Sequence, residues 1–127
     1  MQDKFTFEYA IIRIVPKVER EEFFNVGVIL YCKRKKYLGI KYFIDPIKLQ
    51  AFNSDFELID FDKYLNAWRL VCDGKPASGK IGTLEQSDRF RWLSACRSTI
   101  IQSSKIHPGL TDDPQKTLEE IFLKYVR

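Results

Sequence analysis

Histidine occurs once in these 127 residues and cysteine three times, at Cys32, Cys72 and Cys96. The cysteines are odd in number, widely spaced and never in C-x-x-C order, so they form neither a disulfide framework nor a redox pair. With His107 as the lone imidazole, a structural zinc site lacks ligands. Each cysteine reads as a small buried hydrophobe, and neither a metal nor a cofactor is expected. No apolar run approaches the roughly 18 residues that span a bilayer. Met1-Gln2-Asp3-Lys4 passes directly into alternating residues, without the basic and then apolar segments of an export signal. The cytoplasm is the expected location. Repeats and low-complexity tracts are also missing, as is the G-x-S-x-G elbow found in many hydrolases.

A dominant charge is lacking too. Against 21 Lys and Arg stand 17 Asp and Glu, a net +4, with the acids spread through the chain. Dedicated nucleic-acid binders concentrate positive charge on one face. What the sequence does hold is apolar bulk: 45% hydrophobic residues, with ten Phe, six Tyr and two Trp. That supply suits one packed domain over residues 1–127.

The first strand is expected over Phe5 to Val15, apolar on both faces at its centre apart from Arg13, as in a strand covered on both sides. Pro16 ends it. A second strand follows at Phe23 to Cys32, with Phe24, Val26, Val28 and Leu30 on one face and Asn25 and Gly27 interrupting the other. Tyr37 to Ile44 makes a third, with Leu38, Ile40, Tyr42 and Ile44 together. Short connections favour an antiparallel meander.

Asp45-Pro46 caps a short helical turn through Phe52. Asp60 opens a longer helix with Phe61, Tyr64, Leu65, Trp68 and Val71 at helical spacing, stopped by Gly74. Asp73 to Gly82 reads as an exposed loop. Thr83-Leu-Glu-Gln86 has capping-box form and starts a helix through Leu93. Arg97 to Ser104 reads as a fourth strand, and Lys105 to Asp112 as irregular. Asp113 and Pro114 cap a last helix with a stripe of Leu118, Ile121, Phe122 and Tyr125.

Three motifs imitate chemistry. Gly74 to Ile81 matches G-x-x-x-x-G-K, but a helix precedes it, Ile81 replaces the magnesium-binding hydroxyl, and Pro76 removes an amide donor. It is read as a surface loop. His107 invites a triad with Ser94, Ser98, Ser103 or Asp112, yet no rigid nucleophile turn accompanies it. Lys33-Arg-Lys-Lys36 is a basic run between strands two and three. As a solvated hairpin tip it discourages edge pairing, and as a weak nucleic-acid contact it would bind in a salt-dependent way.

A subtler pattern is polar residues set inside apolar strands: Arg13 between Ile12 and Ile14, Asn25 between Phe24 and Val26, and Gln102 after Ile101. A buried guanidinium needs a carboxylate or several carbonyls, and Glu8 and Glu22 are the nearest acids. Gly27 and Gly39 within strands mark a bulge or a close backbone approach. These residues either converge on a groove or are satisfied separately by internal hydrogen bonds.

Two stretches carry a family resemblance. Tyr9 to Pro16 followed by Glu21-Glu-Phe-Phe-Asn-Val-Gly-Val-Ile-Leu30 resembles the start of the bacterial Domain of Unknown Function 3037 family. Arg91 to Ser104 followed by His107-Pro-Gly-Leu-Thr-Asp-Asp-Pro114 is similar to its C-terminal half, so the resemblance runs from about Phe7 to Val126. It implies a small stand-alone bacterial protein without assigned catalytic residues, encoded beside a HipA-like kinase and acting as its accessory. The family often has Pro where Cys96 stands. Positions matching its pattern that suit a binding site are Arg13, Glu22, Asn25, Gly27, Arg97, Ser98, Gln102 and His107.

The expectation is thus a single α+β domain, with an antiparallel sheet of about four strands and helices mainly on one face. Its leading function is that of a non-enzymatic, protein-binding accessory. Two alternatives stand beside it: a binder of, or enzyme acting on, an anionic small molecule at Arg13, Asn25 and Arg97, and nucleic-acid binding through Lys33–Lys36.

Overall fold

The computed structural model describes residues 4–95 and 100–127. Strand β1 (Phe5–Ile14) pairs antiparallel with β2 (Phe24–Cys32), and β2 pairs with β3 (Tyr37–Tyr42). Helices α1 (Pro46–Ala51), α2 (Leu58–Asp73) and α3 (Gln86–Ser94) follow. Strands β4 (Ile101–Ser103) and β5 (His107–Thr111) then both pair antiparallel with β1, and α4 (Pro114–Tyr125) closes the described chain. The result is a five-stranded antiparallel α+β sheet in the order β3-β2-β1-β4, with β5 continuing along the same edge as β4. Ser104 joins the two edge strands. Its amide donates to the Ile11 carbonyl and its Oγ accepts from the Ile11 amide, both at 2.8 Å.

Both faces of the sheet are covered, as the apolar centre of β1 requires. Ala10, Ile12, Ile14, Ile29 and Tyr31 pack with Phe61, Leu65, Trp68, Phe90 and Leu93 from α2 and α3. Burying a side chain as fully as Phe61 or Phe90 contributes roughly 2–3 kcal/mol. On the opposite face Phe7, Ile11, Val28, Leu30 and Cys32 meet Leu118, Phe122 and Val126. Helices therefore lie mainly on one side, with α4 alone among the described helices on the other.

Several local readings need correction. The second strand does not keep Phe24, Val26, Val28 and Leu30 on one face. Ile12 pairs with Gly27 and Arg13 with Asn25, so Val26 is an extra residue in a β-bulge. One added residue reverses side-chain parity, which sends Phe24 and Val26 to the α2–α3 face and Val28 and Leu30 to the α4 face. Gly27 permits the bulge: a Cβ there would come within 2.7 Å of the Lys41 carbonyl oxygen and 2.8 Å of Tyr42 Cβ.

Asp60 does not open α2. Glu57 is its N-cap, and Asp60 closes a capping box from inside the first turn by accepting from the Glu57 amide at 3.0 Å. Tyr64 leaves the buried stripe and is 51% exposed. Gly74 ends the helix at φ 68°. The segment after it forms 3-10 turns over Pro76–Thr83, kinked at Gly79, with Ile81 tucked against the core. These turns carry Thr83 away from the helix it was expected to cap. Its hydroxyl donates to the Lys80 carbonyl, and α3 starts after Glu85.

The stretch expected to be irregular before α4 forms β5 despite Pro108. Pro108 faces Glu8 on an edge strand, where a missing amide is tolerated. Asp113 caps α4 by accepting from the Lys116 amide at 3.3 Å. The buried stripe runs Leu118, Phe122, Val126, and Tyr125 lies at the rim, because α4 lies mainly across β2 and β3.

Candidate functional site

The bulge decides where the polar intrusions go. Arg13 and Ile11 lie on the α4 face of β1, and the reversed parity of β2 brings Asn25 to that same face. On the other side of β1, Gln102 of β4 is also directly opposite Arg13. Asn25, Arg13 and Gln102 thus form one row across three strands. Directly opposed residues are about 5 Å apart at Cβ. His107 shares the face four residues along β1, opposite Tyr9, with ring centroids 5.3 Å apart. Because α4 covers β2 and β3, this row stands beside the helix and not beneath it. Arg13, Gln102 and Tyr9 are half-buried and His107 is exposed.

The three members of the row are held differently. Asn25 donates from Nδ2 to the carbonyl of Tyr125 at 3.1 Å, satisfying one of the acceptors that a helix leaves open in its last turn. Gln102 has polar contacts of its own. Arg13 lacks the carboxylate expected for it. Glu8 makes a bidentate pair with Arg91, with both N–O distances 3.0 Å, and Glu22 pairs with Arg20 in the exposed turn before β2. The Arg13 guanidinium instead lies 4.4 Å above the ring centroid of Phe23, which is 45% exposed. Its Nε is buried with no hydrogen-bond partner among the described residues. Such a donor costs on the order of 1–3 kcal/mol, and more when it carries charge.

Phe23, Tyr9 and Tyr125 complete the surroundings, and none was singled out from the sequence as a site residue. Burial, and after it the neighbouring Tyr125 phenol, pushes the Tyr9 hydroxyl above its ordinary range. A signal for Phe23 was present: it immediately precedes the strand that carries Asn25 and has no apolar partner in the alternating pattern. Arg97, Ser98 and Cys96 lie outside the described residues. Glu22 points away into its pair with Arg20, and Gly27 contributes backbone shape alone.

The other motifs settle as follows. Ser94 and Ser103 donate to the carbonyls of Arg91 and Ser104, so those hydroxyls are engaged by backbone near His107's end of the chain. The Gly74–Ile81 segment follows helix α2, as its rejection as a phosphate loop requires. Cys32 and Cys72 are buried, and burial pushes the Cys72 thiol up to about 12. Lys33–Lys36 form the exposed tip between β2 and β3. Among the described residues no group of three or more His, Cys, Asp or Glu is placed to hold a metal, and no helix is long and apolar enough to cross a membrane.

The Arg13 guanidinium lies over the Phe23 ring, with Asn25 and Gln102 opposite it on the neighbouring strands. A planar guanidinium suits carboxylate or phosphate through paired hydrogen bonds. A family model described as Protein of unknown function (DUF3037) matches residues 9–126. No curated protein matches the chain, and no solved structure does.

Proposed function

The chain belongs to the DUF3037 family, and from that premise we propose that it is a non-enzymatic accessory module that binds another protein through the sheet face beside α4. The acceptor it seeks is a carboxylate of the partner, presented to Arg13. The observation that carries this reading is the half-buried Arg13 guanidinium, without an ion pair among the described residues, lying over the exposed ring of Phe23. Docking a carboxylate on the outward edge of this guanidinium gives it the ion pair that the described residues do not supply, and covers the aromatic ring in one step. Arg and aromatic residues in such a pairing are common anchors of interfaces. The resemblance to a family encoded beside HipA-like kinases makes that kinase the partner to try first.

Co-expression with a HipA-like kinase tests the reading. A complex that co-elutes with the wild-type chain, and is weakened at least tenfold by Arg13→Met, is expected from the loss of one charge-assisted hydrogen bond. A chain that always elutes alone, or a complex indifferent to Arg13→Met, sinks it. A recess of about 260 Å³ on the far side of Asn25, with Lys48 and Arg127 on its wall, favours a second reading in which the anion is a free small molecule. Saturable binding of citrate, lost in both Asn25→Ala and Arg13→Met, distinguishes that case.

A further inference from the structure

A concave space lies at the other end of β1, against the other helix layer. It measures about 470 Å³ and opens between the start of β1, the base of the β2–β3 hairpin and the first half of α3. Lys4, Lys33, Arg34 and Arg91 line it, against the single carboxylate of Glu8, with the Ser87 hydroxyl on the α3 side. We propose that this cavity is a binding site for a small phosphate-bearing anion, separate from the Arg13 face.

The charge count supports an anion. Glu8 is consumed by its bidentate pair with Arg91. Among the described residues, Lys4, Lys33 and Arg34 make no ion pair. Arg34 instead rests 5.8 Å from the ring centroid of Phe5, which also lines the cavity. Three unneutralised cations around one concave space repel each other, and an entering anion relieves that repulsion.

The site is also built on positioned elements. Gln86, the first residue of α3, donates from Nε2 to the Lys36 carbonyl at 3.0 Å and ties the hairpin to the helix. Tyr31, at the back of the cavity, is buried and stacks on Phe90 with centroids 5.5 Å apart. The basic tip is therefore anchored beside the cavity. A phosphate suits this mixture of Lys, Arg and hydroxyl, since Lys serves as a point charge and Arg as a fork. Concavity and size favour a small molecule over an extended strand, which needs a groove that tracks its backbone.

Glu8 sets the sign of the decisive test. It competes with the ligand for Arg91, so Glu8→Gln frees that guanidinium. Pyrophosphate is the probe, titrated into the full chain while backbone amides are followed by NMR. Expected are saturable one-to-one shifts at Tyr31, Ser87 and Arg91, roughly tenfold weaker affinity in Lys33→Met and Arg34→Met, and tighter affinity in Glu8→Gln. Lys33 and Arg34 are exposed, so these variants fold. Lys63→Met and Glu120→Gln repeat the same charge changes elsewhere on the surface. Absence of saturable shifts overturns the proposal, as do equal effects from the distant pair. A single-stranded oligonucleotide that binds far more tightly than pyrophosphate, with a steep salt slope, overturns it in favour of nucleic acid.

Discussion

Arg89 and Arg13 place the same side chain in two half-dry parts of the molecule, and its neighbours differ completely. At the junction of α3 with the end of α2, Arg89 is 9% exposed. It donates from Nε to the Leu84 carbonyl at 2.9 Å, and from Nη1 to those of Val71 and Cys72 at 2.8 and 2.7 Å. It thereby satisfies acceptors that the last turn of α2 leaves open. On the sheet, Arg13 has an aromatic ring beneath it and a buried Nε with nothing to bond. One guanidinium completes the fold; the other is left incomplete by it. A buried donor without an acceptor is retained at a cost to stability.

The contrast yields predictions of graded size. The largest concerns the Arg89 junction at alkaline pH. The Cys72 thiol rises from 9.0 to about 12, chiefly through burial, so the folded state holds its proton more tightly than the unfolded one. The stabilisation is fully present below about pH 9 and is lost as pH climbs toward 12, amounting to several kcal/mol at the limit. Urea midpoints between pH 8 and 11 should fall steeply in the wild type and less so in Cys72→Ala. Next, Arg89→Met removes a donor from three carbonyls, of which Val71 keeps the Gly74 amide, and should lower the unfolding free energy by about 2–3 kcal/mol. If Arg13→Met costs as much, the comparison between the two arginines fails.

Gly27→Ala should cost about 2 kcal/mol, because its methyl meets the Lys41 carbonyl and the bulge must shift. The same variant should turn Asn25 out of line with Arg13, seen as loss of the distinct Asn25 side-chain amide signals. For Arg13→Met itself, thermal and urea unfolding should show no loss, or a gain of up to about 1 kcal/mol, since an unsatisfied donor leaves and apolar bulk stays. The smallest effect belongs to the partly exposed Glu8–Arg91 pair. Glu8→Gln should cost about 0.5 kcal/mol, and less in high salt.

Much of this architecture was legible in the residues. The two-faced apolar centre of β1, the Asp45-Pro46 and Asp113-Pro114 starts, the Gly74 stop and the meander all follow from local chemistry. Legibility failed where distant chain segments compete. Thr83 looked like a cap because T-x-x-Q is a local pattern, yet the preceding 3-10 turns claimed its hydroxyl. Pro108 looked like a breaker because nothing nearby announces an edge position. Arg89 escaped notice because its partners lie up to 18 positions earlier in the chain. For the site, Arg13, Asn25 and Gln102 stood out as polar residues in apolar strands, whereas Phe23 and Tyr125 became visible through their contacts.

The residue order by itself determined the three strands of the meander, the capped starts of α1 and α4 and the Gly74 stop of α2, since caps, turn formers and apolar spacing act within a few positions. Only the tertiary structure decided which polar side chains share a face. That choice rests on one bulged residue, Val26, accommodated because Gly27 lets β3 approach; a single added position reverses the parity of the strand and swings Asn25 across the sheet to Arg13.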